Sequence, residues 1–278
     1  MTKDRSPSLK QKFFRKVTEL KNISIAAVTS IVLFVLIGNV FSQESNLIEI
    51  RAPSNDTKSN SLKKQDNDGV RKTNFLINFS DYLEGSIDDW LKSKGFRFYR
   101  GAKNRTLIEL SVHDGALVVK AKKPVRGYIF NESVNLKEFS KVRIEWGIIQ
   151  YPKNAFYERN IRNEALIVYI FFGYKKVSSG SFVLPSCRYF IGLFLSKDDE
   201  INEPYIGKYY HEGGRFVCLG NPEPNKTVIS EFDLVRAFQT YFEKEVPVVS
   251  GISLGVDTSS SGDGGKAAAF IKRIEFIK

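Results

Sequence analysis

The sequence predicts an all-β domain, a two-sheet antiparallel sandwich of jelly-roll-like type with one or two short helices, preceded by a single N-terminal membrane helix. Among the 278 residues are 22 Phe and 12 Tyr but only one Met and two Trp, and a core rich in aromatic and β-branched residues favours strands. About ten short apolar stretches, separated by turn residues, follow residue 75. One long apolar run lies near the amino end and predicts the membrane helix.

The long apolar run, residues 23–40, contains no charged side chain and would extend roughly 27 Å as a helix, about the thickness of the hydrocarbon core of a bilayer. The preceding leader holds seven basic and two acidic side chains, which predicts that it stays in the cytoplasm while the remainder is exported. An uncleaved run would anchor the protein in the membrane, whereas cleavage after it would secrete the protein. The predicted segments are a cytoplasmic leader over 1–22, a transmembrane helix or signal sequence over 23–42, a flexible polar stalk over 43–74 and the sandwich over 75–278.

The formal net charge of +11 does not predict a nucleic-acid-binding protein. Almost half of the excess lies in residues 1–22, whereas a nucleic-acid binder concentrates its basic residues on the folded domain. With two Cys and two His, the chain has too few ligands for a four-thiolate zinc site or a His-rich metal centre. The partners that the sequence predicts are a membrane and a glycan or envelope protein.

The strands of the sandwich are predicted from alternation and from turn residues. In Val142–Ile148 every second residue is apolar, the pattern of a strand with one buried face. Leu166–Phe172 is apolar throughout, as in a strand buried on both faces, and Asp114-Gly115 between two apolar stretches is a tight hairpin signal. The predicted strands are 75–79, 106–112, 116–121, 127–130, 142–150, 165–174, 188–195, 216–219, 248–256 and 268–277.

Two segments have the apolar spacing of helices. Asp81–Lys94 carries apolar residues at helical intervals and predicts one short helix. Asp233 is a predicted N-cap of a second helix, which Val246-Pro247 would end. So few helical segments beside so many strands support the assignment to the all-β class.

Several motifs occur in the order found in an uncharacterised bacterial family. They are Asp89-Trp90, Gly115–Leu117, Ile144–Trp146, Asn163–Phe172, Arg215–Cys218, Glu231–Leu234, Phe238–Pro247, Val249–Thr258 and Ala267–Phe276. On these motifs residues 75–278 resemble the domain of unknown function 3047. The resemblance implies a bacterial protein with a jelly-roll similar to carbohydrate-binding modules, and implies no catalytic residues. Together with the predicted membrane helix it indicates a protein of the bacterial cell envelope. Family members tend to have a second acid after the Asp-Thr pair, where this chain has Ser259.

Aromatic residues in two predicted loops are the candidate ligand-binding side chains. They are Tyr151, Phe156 and Tyr157 in the first loop and Tyr205, Tyr209 and Tyr210 in the second. Rings at loop tips can stack on the apolar faces of sugars, while neighbouring polar groups bond the hydroxyls. The same rings could instead cover the open ends of the sandwich. The leading functional prediction is non-catalytic binding of a glycan or another envelope component.

Carboxylates provide weaker candidates for catalysis and for a metal site. A polysaccharide hydrolase or lyase is the first alternative function. Glu145 projects opposite Trp146, and Glu158 or Glu164 could be its partner, because glycoside hydrolysis needs two acids about 5–10 Å apart. These acids could equally form surface ion pairs. Asp257 and Asp263 flank a Ser/Gly-rich loop that could be a solvated turn or could hold a structural calcium ion. No other cofactor is predicted, and a structural or protein-interaction module of the envelope is the second alternative.

The two cysteines, Cys187 and Cys218, lie in or next to predicted strands. In an oxidising exported compartment they could form one disulfide, provided that their Cα atoms come within about 7 Å. They could also remain two isolated buried thiols. The sequence leaves both alternatives open.

Overall fold

The computed structural model describes residues 73–159, 161–182, 184–262 and 264–278. Within these ranges the chain forms two packed β-sheets and two short α-helices, which confirms the predicted β-sandwich. The predicted leader, the predicted membrane helix and residues 43–72 of the predicted stalk lie outside the described residues. Among the helices that are described, none is long and apolar enough to cross a membrane.

Strands make up most of the regular structure in the described ranges. They are β1 (Thr73–Asn78), β2 (Phe96–Arg100), β3 (Ile108–His113), β4 (Ala116–Ala121), β5 (Arg126–Asn131), β6 (Lys141–Gln150), β7 (Glu164–Val177), β8 (Cys187–Phe194), β9 (Pro204–Tyr205), β10 (Gly214–Cys218), β11 (Val228–Asp233), β12 (Val249–Asp257) and β13 (Ala267–Ile277). The helices are α1 (Ile87–Ser93) and α2 (Leu234–Phe242), and single 3-10 turns occur at Phe79–Asp81, Gly101–Lys103 and Tyr157–Arg159. Ten of these strands coincide with predicted ones, whereas β2, β9 and β11 were not predicted.

Sheet A has the strand order β11-β6-β13-β4-β3, and β1 also pairs with β13. Strand β13 occupies the middle of this sheet. One of its edges pairs with β6 along the strand, and its other edge is shared, because its first half pairs with β4 and its second half with β1. All of these pairs are antiparallel. The first and last strands of the described chain are therefore neighbours.

Sheet B has the strand order β2-β5-β12-β7-β8-β10-β9. All of its pairs are antiparallel except β8 with β10, which run parallel with Phe194 opposite Cys218. This pair departs from the purely antiparallel sandwich that the sequence predicts. The physical reason is the long connection over residues 195–213, which returns the chain to the beginning of β8 before β10 starts.

The hydrophobic core lies between the two sheets, and β7 shows how one strand serves two apolar layers. Leu166, Val168, Ile170 and Phe172 point into the core, while the alternate residues 167, 169 and 171 pack in a second apolar layer on the outer face of sheet B. The prediction that this strand is buried on both faces is confirmed for the core side, whereas Tyr169 and Phe171 on the outer side are only half-buried.

A buried hydrogen bond joins strands β6 and β11 inside the core. The Trp146 indole, which is buried on β6, donates a hydrogen bond of 3.1 Å to the hydroxyl of Ser230 on the neighbouring strand β11. A buried indole N–H without a partner would cost about 1–3 kcal/mol. Ser230 therefore lets a large aromatic side chain fill the core at this edge of sheet A.

The predicted hairpin is confirmed at Asp114-Gly115. His113 pairs with Ala116, and the two residues between them have φ values of 50° and 69°. Positive φ at both central residues is the turn geometry that matches the twist of a two-stranded ribbon.

The two helices differ in how well the sequence predicts the residue at which each begins. Helix α1 begins only after Ser86, whose hydroxyl accepts a hydrogen bond from the amide of Asp89, so it is shorter than the predicted Asp81–Lys94. Helix α2 begins as predicted after Asp233, whose carboxylate accepts a hydrogen bond of 2.9 Å from the amide of Arg236. Its Phe238 ring lies 4.8 Å from Phe172, so α2 closes one end of the core.

Candidate functional site

The outer face of sheet B carries a continuous layer of aromatic side chains, which we name the aromatic face. Its members are Tyr99 on β2, Tyr128 and Phe130 on β5, Tyr169 and Phe171 on β7, Phe190 and Phe194 on β8, and Phe216 on β10. Neighbouring rings contact one another from strand to strand, with centroid distances of 6.0 Å for Tyr128–Tyr169 and 5.0 Å for Phe130–Phe171. The layer thus runs across most of the sheet.

Glycines on the intervening strands allow these rings to lie close to the sheet. A Cβ atom at Gly255 would lie 2.8 Å from the Tyr169 ring and 3.3 Å from the Tyr128 ring. A Cβ atom at Gly192 would lie 3.2 Å from both the Tyr169 and the Phe216 rings. Glycine within a strand often marks such a close approach. The strands therefore hold the rings in defined positions.

Part of the aromatic face is open to solvent. Four of its members are buried, namely Phe130, Phe190, Phe194 and Phe216. The other four are half-buried, and we call them the open rings: Tyr99, Tyr128, Tyr169 and Phe171. They belong to β2, β5 and β7, three strands within the β2-β5-β12-β7 half of sheet B. A flat ligand could therefore contact several rings of a rigid sheet at once.

Tyr128 and Tyr169 each add a phenolic hydroxyl group to this face. In the described part of the chain, the hydroxyls of Tyr128 and Tyr169 make no hydrogen bond. Burial raises the pKa of both phenols above the ordinary value, so both stay protonated at neutral pH. A protonated phenol can donate one hydrogen bond and accept others.

Charged side chains lie beside the open rings. The Nε of Arg126 is 2.5 Å from Oδ2 of Asp257, which pairs opposite it on β12. The other Asp257 oxygen accepts hydrogen bonds from the amide and hydroxyl of Ser259, at 3.0 and 2.6 Å. The guanidinium carbon of Arg100 is 5.9 Å from the centre of the Tyr128 ring. The aromatic face thus has a polar margin along β2, β5 and β12.

Glu164, a predicted candidate for catalysis, is the buried acid of this margin. It is only 3% exposed, lies opposite Asp257 in the β7–β12 register and accepts a hydrogen bond from the hydroxyl of Tyr157. Burial first, and then the nearby Asp257 carboxylate, raise the pKa of Glu164 to about 8. Glu164 is therefore mostly protonated at neutral pH.

The first predicted loop divides between the two apolar layers. Tyr157 is 6% exposed, and its ring stacks on Phe194 at 4.6 Å, at the margin of the aromatic face. The Tyr151 hydroxyl instead donates a hydrogen bond of 2.6 Å to the carbonyl of Pro222, and its ring packs against the core between the sheets. Phe156 is half-buried below the Arg159 guanidinium, 5.2 Å away. The structure does not bring these three rings together.

The second predicted loop covers the same margin as Tyr157. The Tyr205 ring lies 5.3 Å from the Tyr157 ring, and the Tyr210 ring lies 5.9 Å from Phe190. Tyr209 is 38% exposed, with the Lys208 ammonium 5.6 Å from its ring centre. The loops thus bring Tyr157, Tyr205 and Tyr210 to one end of the aromatic face, whereas the open rings lie on strands.

Glu145, the other predicted catalytic candidate, lies on the opposite sheet. It belongs to β6 of sheet A and forms ion pairs with Lys272 and Arg273, at 3.5 and 3.6 Å. Glu164 belongs to sheet B. The structure therefore does not bring these two acids together.

The predicted calcium loop is described only in part. Asp263 lies outside the described residues, and both Asp257 oxygens already have partners, Arg126 and Ser259. The described residues contain no group of three or more His, Cys, Asp or Glu side chains that could hold a metal. A structural calcium ion at this loop stays a prediction.

Cys187 and Cys218 are free thiols. Cys187 begins β8 and Cys218 lies opposite Phe194, the last residue of β8, in the parallel pair. At about 3.3 Å per residue, the two cysteines are separated by roughly 20 Å along the strands, and a disulfide requires Cα atoms within about 7 Å. Cys187 and Cys218 are therefore too far apart to form a disulfide with each other, and they are two isolated thiols.

No family model and no curated protein matches this chain, so membership of the domain of unknown function 3047 is not shown. Among solved structures, the potassium-bound carbohydrate recognition domain of Emp46p is 11% identical, with a TM-score of 0.36 over 72% of this chain and 94% of that chain. A mutant carbohydrate binding module of family 29 is 10% identical, with a TM-score of 0.29 over 66% and 81%.

The xyloglucanase domain of NopAA, a type three effector from Sinorhizobium fredii, in complex with cellobiose, is 13% identical to this chain. Its TM-score is 0.34 over 62% of this chain and 87% of that chain. All of these TM-scores are below 0.5, so the three likenesses carry no functional conclusion.

Proposed function

We propose that this protein binds a glycan without cleaving it, through the open rings of the aromatic face. The observation that carries the proposal is the set of four half-buried rings on β2, β5 and β7 of one sheet: Tyr99, Tyr128, Tyr169 and Phe171. The apolar faces of sugar rings stack on such surfaces, and a few well-placed polar groups bond the hydroxyls and fix the orientation. The hydroxyls of Tyr128 and Tyr169, which have no partner among the described residues, suit that second task.

Rigidity supports binding at this place rather than at the loop tips. The open rings project from paired strands, and Gly255 fixes how closely two of them approach the sheet. A ligand therefore need not order these side chains when it binds, and avoiding that entropic cost strengthens binding. The predicted loop rings Tyr157 and Tyr205 instead pack on one another.

The location of the protein is part of the same proposal. The basic leader and the apolar run over 23–40 support a jelly-roll-like sandwich held outside the cytoplasm of a bacterial cell, either tethered to the membrane or secreted after cleavage. Protease added to intact spheroplasts should then digest the sandwich domain. Complete protection of the domain in spheroplasts, with digestion after lysis, would contradict this location.

Binding is tested with the full-length protein on an array of oligosaccharides. Tyr128→Ala and Tyr169→Ala should each weaken binding roughly fivefold to tenfold, because each removes stacking worth about 1 kcal/mol. Ile229→Ala is the matched control, since Ile229 is 60% exposed on sheet A. Tyr209→Ala changes a ring of the second predicted loop, so its effect on binding shows whether that loop, and not the sheet, holds the ligand.

The outcomes of this experiment are distinct. Loss of binding in the Tyr128 and Tyr169 variants, with normal unfolding temperatures, supports the proposal. Loss of binding only in Tyr209→Ala would show that the ligand binds at the predicted loops, which contradicts binding on the aromatic face. Absence of binding to any glycan would contradict the function and favour a structural or protein-interaction module.

A second candidate function, glycoside hydrolysis, is favoured by the adjacent carboxyl groups of Glu164 and Asp257. A protonated acid next to a carboxylate is the arrangement used by many glycosidases. Glu164 is buried and Asp257 is held by Arg126, so the geometry supports binding better than cleavage. Release of reducing ends that is lost in Glu164→Gln while binding persists would establish hydrolysis by Glu164. Equal release by both proteins would reject Glu164 as its catalytic acid, and no release by the wild type would reject hydrolysis.

A further inference from the structure

We propose that the glycan bound on the aromatic face is anionic and that Arg97 and Arg100 bind its acidic group beside Tyr99 and Tyr128. This inference rests on the proposed function and names the ligand class of the same site. A guanidinium group is planar and can donate two parallel hydrogen bonds to a carboxylate or a phosphate. A saccharide that carries such a group offers both a face for the rings and an anion for the arginines.

Arg100 has an uncommon backbone conformation at the end of β2. Its φ is 53° and its ψ is −133°, a combination that residues with a Cβ atom rarely adopt. On a regular strand, the residue after the outward-facing Tyr99 would point toward the core. The Arg100 guanidinium nevertheless lies over the Tyr128 ring on the outer face. Strained residues of this kind cluster at ligand-binding sites. At Arg100 the unusual backbone conformation places the positively charged side chain beside the Tyr128 ring.

Arg97 supplies a second cation on the same strand. It lies two residues before Tyr99, hence on the same side of the sheet, and opposite Phe130 in the β2–β5 register. Its side chain is exposed, and in the described part of the chain it has no hydrogen bond, ion pair or ring contact. Arg97 can therefore bind a ligand without giving up an existing partner.

The described residues around the open rings include basic and acidic side chains with different partners. Arg126 is paired with Asp257, which also accepts two hydrogen bonds from Ser259. Of the neighbouring acids, Glu164 is buried beside Tyr157, and Glu132 follows the end of β5. Among the described residues, the guanidinium groups of Arg97 and Arg100 thus add positive potential beside the open rings. A positive potential at this place favours an anionic ligand over a neutral one.

The test compares full-length protein binding to pairs of oligosaccharides that differ only in charge. The pairs are an oligouronate and its methyl ester, a sulfated glycan and its desulfated form, and a phosphorylated glycan and its dephosphorylated form. We expect the acidic member of at least one pair to bind tenfold or more tightly, and the pair that shows this identifies the anion. Because exposed charges are screened by salt, raising the ionic strength should reduce the difference within that pair.

Two arginine variants test whether the acidic group of the ligand binds to Arg97 and Arg100. Arg97→Gln and Arg100→Gln should each weaken binding of the acidic member at least fivefold and leave the neutral member unchanged. Arg236→Gln is the matched control, because it removes the same charge from an exposed position of α2.

The outcomes separate this inference from the proposed function on which it rests. Equal binding of acidic and neutral members, or unchanged binding by both variants with normal unfolding temperatures, overturns the anionic ligand but leaves glycan binding intact. Absence of binding to every member, charged or neutral, overturns both.

Discussion

The hydroxyl of Tyr157 donates a hydrogen bond to the buried carboxyl group of Glu164, and this contact joins the loop after β6 to the first residue of β7. The Tyr157 ring also stacks on Phe194. One residue therefore connects the acid at the margin of the aromatic face with the buried rings beneath the loops. The stability of the protein, and its dependence on pH, should reflect this contact.

Stability should fall as pH rises because of Glu164. Burial and then Asp257 raise the pKa of Glu164 from 4.5 to about 8, so the folded protein keeps a proton that the unfolded chain loses above about pH 4.5. The stabilisation is complete below that pH and is lost as pH rises through about 8, with a slope of at most about 1.4 kcal/mol per pH unit. Urea unfolding from pH 5 to pH 9 should show this decline in the wild type and a smaller one in Glu164→Gln.

The control for this measurement is Glu158→Gln, which changes an exposed acid in the adjoining loop. This variant should follow the wild type at every pH. Parallel curves for the wild type and Glu164→Gln across the whole range would show that Glu164 does not keep its proton in the folded state.

Replacing Tyr157 by Phe should destabilise the protein more at high pH than at neutral pH. The ring contacts remain, but the hydrogen bond to Glu164 is lost, and hydrogen bonds to charged groups are worth about 1.5–3 kcal/mol against about 1 kcal/mol for neutral ones. We expect a cost of about 1 kcal/mol at pH 6 and about 2 kcal/mol at pH 9, measured by urea unfolding. Tyr128→Phe is the matched control, since that hydroxyl has no partner among the described residues. A pH-independent cost in Tyr157→Phe would be the contrary result.

Gly255→Ala should displace the open rings. The new Cβ atom would lie 2.8 Å from the Tyr169 ring and 2.9 Å from Cγ2 of Ile167, so both side chains must move, at a cost of about 1–3 kcal/mol. Thermal unfolding should show the loss of stability, and glycan binding should weaken with it. Gly220→Ala provides the comparison, because its nearest contact would be an ordinary 3.6 Å. Unchanged stability and binding in Gly255→Ala would mean that the sheet does not fix the rings.

Both cysteines should remain unreactive thiols in the native protein. Burial raises the pKa of Cys187 to about 11 and also raises that of Cys218, so little thiolate is present at neutral pH. A thiol reagent should modify neither residue quickly before denaturation and both after it, without added reductant. Cys187→Ala should then leave one reactive thiol. Detection of thiols only after reduction would instead indicate a disulfide.

The strands could be predicted because their signals are local. In Val142–Ile148 the alternation fixes which side chains face the core, and Asp114-Gly115 fixes a turn through its positive φ values. Strand β2 was missed because Tyr99 interrupts the alternation of apolar and polar residues that Phe96 and Phe98 begin. The structure explains the interruption, since Tyr99 belongs to the aromatic face on the opposite side of the sheet.

The open rings could not be predicted as a group. Tyr99, Tyr128 and Tyr169 are far apart in the chain and meet only through the strand order β2-β5-β12-β7, which no short motif specifies. The apolar sequence of β7 indicates two buried faces but not that one of them is partly open. Glycines inside β12, Gly251 and Gly255, were the available signal, because glycine within a strand often marks rings or backbone packed closely over it.

The sharing of one edge of β13 between β4 and β1 has a consequence for biogenesis. Sheet A is complete only when the earliest and latest strands of the described chain have found each other, and contacts between such distant segments make folding slow, on the scale of milliseconds to seconds. Until then the apolar core strands of newly made molecules remain exposed and can associate with one another. The yield of this protein during overproduction should therefore be limited by how fast it folds, and lower temperature or a holding chaperone should raise that yield.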